Sequence, residues 1–508
     1  MALGVFVAAL AAFAWTAPPL EFFLRSPDHA SNIGLAALIL NGQFPFVDHV
    51  HFYGPLAALA SAWAYRVHPS LLSEIALCAA AYALAIALLY RSTATNVGRT
   101  AGILVALVAF ACSPRFYKYY YWLMPMLALH VLDRAAEAPA SRRGRDWFLA
   151  GSVAGVAGLF RFDLGLALFV FLIVCGLALA RRPLDGVPHA GWGWRFALGF
   201  ALPWLAWLAA LVVKGGAQAV ADYLVGTFQG AAGYLANRRL PGSAALNWTT
   251  AACVACYVLA LGLGGVGFWR GSPSERRRDG YLAAAGLLGL GLVPQTLHRR
   301  EFSHLLQASI PLFAALPALL RCLMSGGVQA GTRRPMRIAW RALAVLLVAV
   351  LSTAGFAGRN DARVDLTPFD NDVRAKYRRL SDGLDAERAG DRIEALRRIR
   401  TLTRPDDRLL VLGNSAWVYY FAQRPLSGLF HNYVGVYAPF PRWRQRNLDE
   451  IRAHPPALVV AAPEDLDASD PLALERIYPD VAAYVTRNYP VVVYDSSSIV
   501  VLAREADR

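Results

Sequence analysis

Titratable side chains are concentrated in residues 26–56, a short stretch that lies between two apolar segments. These side chains are Asp28, His29, Asp48, His49 and His51. An ionised aspartate can take the proton of an attacking hydroxyl group, and carboxylates and imidazoles together can hold a divalent cation. Because such groups are costly beside hydrocarbon, their concentration next to apolar segments indicates a functional site.

Simpler roles remain open for both acids. Asp28 precedes the helical stretch 31–42, so its carboxylate could cap that helix, with Ser31 sharing the role. Asp48 lies in a loop punctuated by Pro and Gly, where a solvated turn acid is an equal explanation. The ligand spacing matches no closed zinc site, so Mg²⁺ or Mn²⁺ bound by the two acids is left open. Tyr53 is grouped with the three histidines as a supporting residue.

A second group of charges lies beside later apolar runs. Arg161 and Asp163 flank Phe162, either as an ion pair between helices or as a guanidinium that Asp163 orients toward a phosphate. Five titratable groups then occur within seven residues, namely His298, Arg299, Arg300, Glu301 and His304. This density favours an anionic partner over an ordinary loop.

The elements that hold these residues are predicted to be membrane helices. Hydrophobic residues make up 56% of the 508 residues and charged residues 17%, which is typical of membrane proteins. The net charge of +15 does not indicate nucleic-acid binding, because the arginines are spread among apolar blocks. Apolar runs long enough to cross a bilayer predict about eleven spans. They cover residues 2–23, 71–90, 100–113, 117–132, 147–160, 164–180, 195–213, 247–269, 280–297, 303–323 and 338–357.

Lys and Arg residues in alternate loops orient these spans. One set of loops carries roughly 18 of them and the other roughly 10, and the richer set is predicted to be cytoplasmic. The first span lacks a basic region and a cleavage site, so it is predicted to be retained. The N-terminus is then cytoplasmic, and the first loop and the C-terminal tail face outward from a multi-pass protein of the inner membrane.

The composition changes near residue 359. Residues 1–358 are predicted to form the membrane domain, with a first outer loop at 24–70 that includes an interfacial helix at 54–67. Residues 359–508 are predicted to form a soluble α/β domain. Short β-rich runs occur at 409–413, 457–462, 491–495 and 498–504. Helical segments between the first three runs predict an α/β alternation that ends in a hairpin.

The first loop reads PDHASNIGLAALILNGQFPFVDHVHFYGPL from Pro27 to Leu56. RFDLG follows a mid-chain span, a turn rich in Arg and His precedes a late span, and a soluble tail follows. In these features the chain resembles the GT-C superfamily of integral membrane glycosyltransferases. That superfamily includes protein O-mannosyltransferases and lipid A aminoarabinose transferase.

The resemblance implies a sugar donor linked to polyprenyl phosphate. Asp28 would be the essential first-loop acid, acting as a base or beside a metal, and Asp48 would support it. The groups expected to bind the donor phosphate are Arg161, His298, Arg299 and Arg300. Many relatives carry a second acid beside the first aspartate, where this chain has His29, so the resemblance leaves a metal requirement open.

The expected reaction is an inverting sugar transfer at the outer face of the membrane, to a glycan, lipid or protein acceptor. Asp28 would deprotonate the acceptor hydroxyl while Arg and His stabilise the departing phosphate. This requires the distant basic segments to meet around Asp28. A flippase for lipid-linked saccharides and a non-catalytic membrane scaffold are the alternative functions.

Overall fold

The computed structural model is mostly helical. It describes residues 1–15, 27–50, 54–69, 71–113, 118–184, 191–236, 244–298, 302–325, 390–413, 415–433, 440–462, 474–496 and 499–505. The predicted span at 338–357 and the predicted domain boundary near 358 lie outside these residues. Both stay predictions.

Helices make up the first part of the chain. They are α1 Ala2–Trp15, α2 Pro27–Leu40, α3 Leu56–Val67, α4 Leu71–Asn96, α5 Arg99–Ala111, α6 Tyr120–Glu137, α7 Ala140–Phe160, α8 Phe162–Arg181, α9 Trp192–Ala236, α10 Ala244–Arg270, α11 Pro273–His298, α12 Phe302–Gln307 and α13 Ile310–Ser325.

The C-terminal part combines helices with a small sheet. Its elements are α14 Gly390–Leu402, β1 Leu409–Val411, α15 Trp417–Ala422, α16 Pro441–Ala453, β2 Leu458–Ala461, α17 Leu474–Ile477, α18 Pro479–Asn488, β3 Val491–Asp495 and β4 Val500–Ala503. The strand order is β1-β2-β4-β3, with β1 parallel to β2 and the other pairs antiparallel. All four predicted strands and the final hairpin are confirmed.

Within the described residues, four helices are long and apolar enough to cross a membrane: Leu71–Asn96, Phe162–Arg181, Trp192–Phe228 and Leu246–Arg270. On α8 the exposed large side chains are Leu166, Val170, Val174 and Leu177. Their spacing places them along one apolar stripe, as expected for a helix face in contact with lipid.

Two predicted spans differ in outline from the observed helices. The predicted span at 303–323 is two helices, α12 and α13, because Pro311 lacks the N–H that would continue the ladder from one into the other. The predicted span at 195–213 continues to Ala236 through a kink at Gly216, whose φ of 68° and ψ of −166° are not helical. Glycine tolerates this backbone conformation because it has no Cβ.

The chain divides into two compact units. Unit 1 comprises Met1–Ala17, Cys78–Ala206 and Arg238–Val364. Its helices pack closely through glycines. A Cβ on Gly264 would lie 2.5 Å from the backbone nitrogen of Ala283, and a Cβ on Gly286 would lie 2.6 Å from that of Leu261. Small residues allow this close approach of α10 and α11, as is usual for helices in membranes.

Unit 2 comprises Pro18–Leu77, Trp207–Asn237 and Asp365–Arg508. Val50 of the first loop lies in the hydrophobic core of its C-terminal sheet, together with Leu410, Phe430 and Val459. The second part of α9 also joins this unit, because Asp222 pairs with Arg446 of α16. Unit 2 therefore combines the predicted first outer loop with the C-terminal tail.

Candidate active site

Asp28 is the second residue of α2. The helix begins at Pro27, a residue whose fixed φ and missing N–H suit the first helical position. Asp28 therefore lies within the first turn and not at the N-cap position, which was one of the roles left open for it. The Asp28 side chain is outside the described part of the structure, so its role as a base stays a prediction.

Ser31 contacts the tail instead of capping α2. Its Oγ lies 2.7 Å from Nε2 of His431, and Nδ1 of His431 lies 3.3 Å from the carbonyl oxygen of Val50. Because a carbonyl only accepts, Nδ1 carries the hydrogen and Nε2 accepts from the Ser31 hydroxyl. Asn432 Nδ2 completes the group by donating to Ser31 Oγ at 3.4 Å.

The His431 imidazole is neutral at physiological pH. It is buried, and burial lowers its pKa from 6.5 to about 3. A neutral ring suits its observed contacts, in which one nitrogen donates and the other accepts. His431 was missed from the sequence because it is 400 residues from Ser31 and no local pattern marks it.

The segment of the tail at residues 415–433, named here the tail segment, packs against the first loop at several points. The Gln43 side chain accepts from the backbone N–H of Leu426 at 2.8 Å and donates to its carbonyl at 3.4 Å. Val50 N–H donates to the Leu429 carbonyl at 2.9 Å. A Cβ on Gly34 would collide with the backbone of Ala416. The tail segment therefore packs against the helix that carries Asp28 and against the loop that follows this helix.

A second polar cluster lies between α2, α3 and α4. Asn32 Nδ2 donates to Ser61 Oγ at 2.8 Å and to Glu74 Oε1 at 3.2 Å. His29 Nε2 lies 3.7 Å from the same Glu74 oxygen. These four side chains are buried. Sequence reasoning missed Glu74, because an acid at the start of an apolar helix is an ordinary feature of a helix N-terminus.

Asp48 closes a turn on the surface of the first loop. Its Oδ2 accepts from the Phe44 N–H at 2.6 Å, and its own N–H donates to the Phe44 carbonyl at 2.9 Å. Asp48 is exposed, whereas the neighbouring His49 is fully buried. Burial, with a smaller contribution from His431, lowers the pKa of His49 to about 3. His51 and Tyr53 lie outside the described residues.

Phe44 and Phe46 attach this turn to the second part of α9. The Phe44 ring stacks on Trp207 with centroids 5.6 Å apart, and the Phe46 ring meets the edge of Tyr223 at 4.8 Å. Phe46 has a φ of 64°, an unusual value for a residue with a side chain. The turn that presents Asp48 is thus fixed by aromatic packing.

Arg161 and Asp163 form a two-pronged ion pair in unit 1. Arg161 Nε and Nη2 donate to the two carboxylate oxygens of Asp163, each at 2.9 Å. Arg161 is extended between α7 and α8, and its guanidinium lies 5.5 Å from the centre of the Tyr121 ring. Asp163 therefore orients Arg161, whose binding to a phosphate stays a prediction.

The turn rich in Arg and His, residues 298–304, is only partly described by the structure. His298 ends α11 and its side chain is outside the described residues, as are Arg299, Arg300 and Glu301. His304 lies in α12 and is buried. These residues belong to unit 1 with Arg161, and the first loop belongs to unit 2. That these basic groups lie around Asp28 stays a prediction.

Solved structures provide a comparison for this architecture. Neither a family model nor a curated protein sequence matches the chain. The crystal structure of ArnT from Cupriavidus metallidurans bound to undecaprenyl phosphate is similar, with a TM-score of 0.55 and 13% identity over 98% of this chain and 97% of that one. The apo structure gives a TM-score of 0.51, with the same identity and coverage.

The chain has the ArnT fold. The similarity extends over almost the full length of both chains, so it includes the helices as well as the small C-terminal sheet. The predicted architecture, a mostly helical protein with several apolar helices and a small C-terminal sheet, is confirmed, whereas the count of about eleven spans stays a prediction.

No metal centre emerges from the side chains that the structure describes. Among them, no group of three or more His, Cys, Asp or Glu residues is arranged to hold an ion. Asp48 is engaged with Phe44 N–H and His49 is buried. The Asp28 side chain is outside the described residues, so a cation bound by Asp28 and Asp48 stays a prediction.

Proposed function

We infer that this chain is a membrane glycosyltransferase that moves a sugar from a polyprenyl-phosphate donor to an acceptor at the outer face of the inner membrane, with inversion. The observation that carries this proposal is the fold shared with ArnT, which was solved with undecaprenyl phosphate bound. The apolar helices would keep the donor lipid in the bilayer.

Asp28 is proposed as the base of the reaction. The first two turns of α2 carry Asp28, His29, Ser31 and Asn32, and the last three make buried polar contacts. A base must be held within hydrogen-bond reach of the proton that it removes. The contacts to the tail segment and to Glu74 support such a role, because they fix the helix turn in which Asp28 lies.

The departing phosphate is proposed to be bound by basic groups, with Arg161 first among them. An arginine held by a carboxylate presents its remaining N–H groups in a fixed direction, and planar donors suit phosphate oxygens. His298, Arg299 and Arg300 are proposed to share this role, and Asp48 to support Asp28. Stabilising charge that develops on a leaving group is commonly the largest contribution to catalysis.

The orientation of the protein is part of the proposal. The N-terminus would be cytoplasmic, and the first loop and the tail would face the periplasm, where the acceptor is a glycan, lipid or protein. The clustering of first loop and tail in unit 2 supports their placement in one compartment. Cysteine residues introduced at Asn41 and at Asp449 should both react with an impermeant thiol reagent in whole cells, and reaction from the cytoplasmic side alone would overturn this orientation.

The decisive experiment reconstitutes the full chain with radiolabelled undecaprenyl-phosphate sugars and with candidate acceptors. We expect transfer by the wild-type protein, and its loss in Asp28→Asn. Asp449→Asn, on an exposed face of α16, is the matched control and should transfer normally. Transfer by Asp28→Asn at the wild-type rate would remove Asp28 from the mechanism. Movement of the donor lipid between leaflets without transfer would instead favour a flippase.

Metal dependence is tested in the same assay. EDTA followed by addition of Mg²⁺ or Mn²⁺ examines a cation bound by Asp28 and Asp48. Restoration of lost transfer by one cation would assign it to the reaction.

A further inference from the structure

Glu74 is a carboxylate buried at the start of a membrane helix. It lies in the first turn of α4, which is long and apolar enough to cross a bilayer, and its side chain is 0% exposed. Removing a carboxylate from water costs several kcal/mol, so an acid in this position requires compensating contacts.

Those contacts come from the helix that carries Asp28. Asn32 Nδ2 donates to Glu74 Oε1 at 3.2 Å, and His29 Nε2 lies 3.7 Å from the same oxygen, within ion-pair distance. Ser61 holds Asn32 from α3 at 2.8 Å. The Glu74 carboxylate therefore contacts two residues in the first turns of α2, and one of them is adjacent to Asp28 in the chain.

Stabilisation of the α4 N-terminus alone does not explain why Glu74 is buried against α2. A negative charge in the first turn stabilises a helix through its dipole, but it does so equally well when it faces solvent. Glu74 is instead buried against α2, and its Oε2 makes no hydrogen bond to any side chain or backbone group that the structure describes. The desolvation of this oxygen is a cost that a helix terminus alone does not require.

We propose that Glu74 is a positioning residue, which fixes the location of Asp28 by holding His29 and Asn32. This inference rests on the proposed glycosyl transfer with Asp28 as its base. Glu74 need not touch either substrate. Its carboxylate ties α4 to the first turn of α2, and small displacements of a reacting group reduce the rate strongly.

The first test compares Glu74→Gln with His29→Gln in the reconstituted transfer assay. Glutamine keeps an oxygen that can accept from Asn32 and removes the ionisable group opposite His29. We expect each substitution to lower kcat by about 10- to 100-fold, as a displacement of the order of 1 Å would. The KM for the donor should change by less than about twofold, since binding of the donor is not altered. Asp133→Asn, which removes a carboxylate held by Ser92 in unit 1, is the control.

Two double variants test whether the contact itself is responsible. The double variant Glu74→Gln with His29→Gln should be as active as the less active of the two single variants, because both substitutions remove the same interaction. The exchange variant, Glu74→His with His29→Glu, restores an acid and an imidazole in opposite order. It should recover activity relative to Glu74→His and His29→Glu alone.

The outcomes separate this inference from the function on which it rests. Wild-type protein that transfers no sugar from any donor overturns the proposed function and this inference with it. Wild-type transfer with unchanged kcat in Glu74→Gln or in His29→Gln overturns the inference alone. Losses in the two single variants that multiply in the double variant, or a lower melting temperature with unchanged kcat, assign Glu74 a structural role and also overturn it. His29→Gln keeps the test decisive if Glu74→Gln does not fold.

Discussion

The hydroxyl of Ser31 donates a hydrogen bond to Nε2 of His431 at 2.7 Å, and these residues are 400 positions apart. Three residues before Ser31 lies Asp28, the proposed base, and both are in α2. The tail segment thus contributes directly to the local structure of the helix that carries the candidate site.

Ser31→Ala should destabilise unit 2. The substitution leaves Nε2 of the buried His431 without its donor, which costs about 1–3 kcal/mol of unfolding free energy. Chemical unfolding of the detergent-solubilised protein, followed by tryptophan fluorescence, measures this. Ser152→Ala is the control, because the Ser152 hydroxyl bonds to a carbonyl of its own helix. Equal stability of the two variants would contradict a role for the Ser31 contact.

Lowering the pH should lower the unfolding free energy of unit 2, because His49 and His431 are buried there. Burial lowers the pKa of each from 6.5 to about 3, so the folded state keeps both rings neutral while the unfolded state protonates them below about 6.5. The unfolded state then binds more protons than the folded state. The unfolding free energy therefore decreases as the pH is lowered from 6.5 to 3. Unfolding curves across this range measure the slope, which His49→Gln should reduce.

His454 provides the control for that slope. It is exposed immediately after the end of α16 and lies beside Glu450. His454→Gln should leave the dependence of stability on pH as in the wild type. A slope that His49→Gln does not change would contradict the assignment of this dependence to the buried rings.

Asp48→Asn separates the two roles of Asp48. Asparagine can still accept from the Phe44 N–H, so the turn should keep its geometry and the melting temperature should hold. If the charge supports Asp28, transfer falls in this variant as it does in Asp48→Ala. Full transfer by Asp48→Asn, with loss only in Asp48→Ala, would limit Asp48 to closing the turn.

Arg161→Lys should weaken donor binding. Lysine keeps the charge but cannot reproduce the two-pronged contact with Asp163, so the remaining donors are no longer held in one direction. We expect the donor KM to rise about 10-fold, equivalent to roughly one hydrogen bond to a charged group. Arg397→Lys, on an exposed face of α14, is the comparison variant. An unchanged donor KM in Arg161→Lys would argue against phosphate binding there.

Local patterns predicted much of the fold. Apolar length predicted helices such as α4 and α8, and alternating β-rich runs predicted the four strands, because both patterns depend on neighbours in the chain. The break between α12 and α13 was missed, although Pro311 signals it. An N-cap position was left open for Asp28, but Pro27 begins the helix and places Asp28 in its first turn.

Contacts between distant segments could not be predicted in the same way. Nothing around His431 or Glu74 distinguishes them from other tail histidines or helix-terminal acids until the fold places them against Ser31 and His29. A single sequence carries no signal for which residues of separate elements meet. The candidate acids were visible, but the groups that hold their helix were not.

Val50 lies in the core of the C-terminal sheet, which has a consequence for biosynthesis. The first loop leaves the ribosome before Leu410, Phe430 and Val459, which lie several hundred positions later in the chain. The first loop therefore lacks this packing until the segments that carry the C-terminal sheet have been translated. A chain that ends before these segments leaves Val50 without its hydrophobic core, so the first loop cannot reach the packed form seen in the structure.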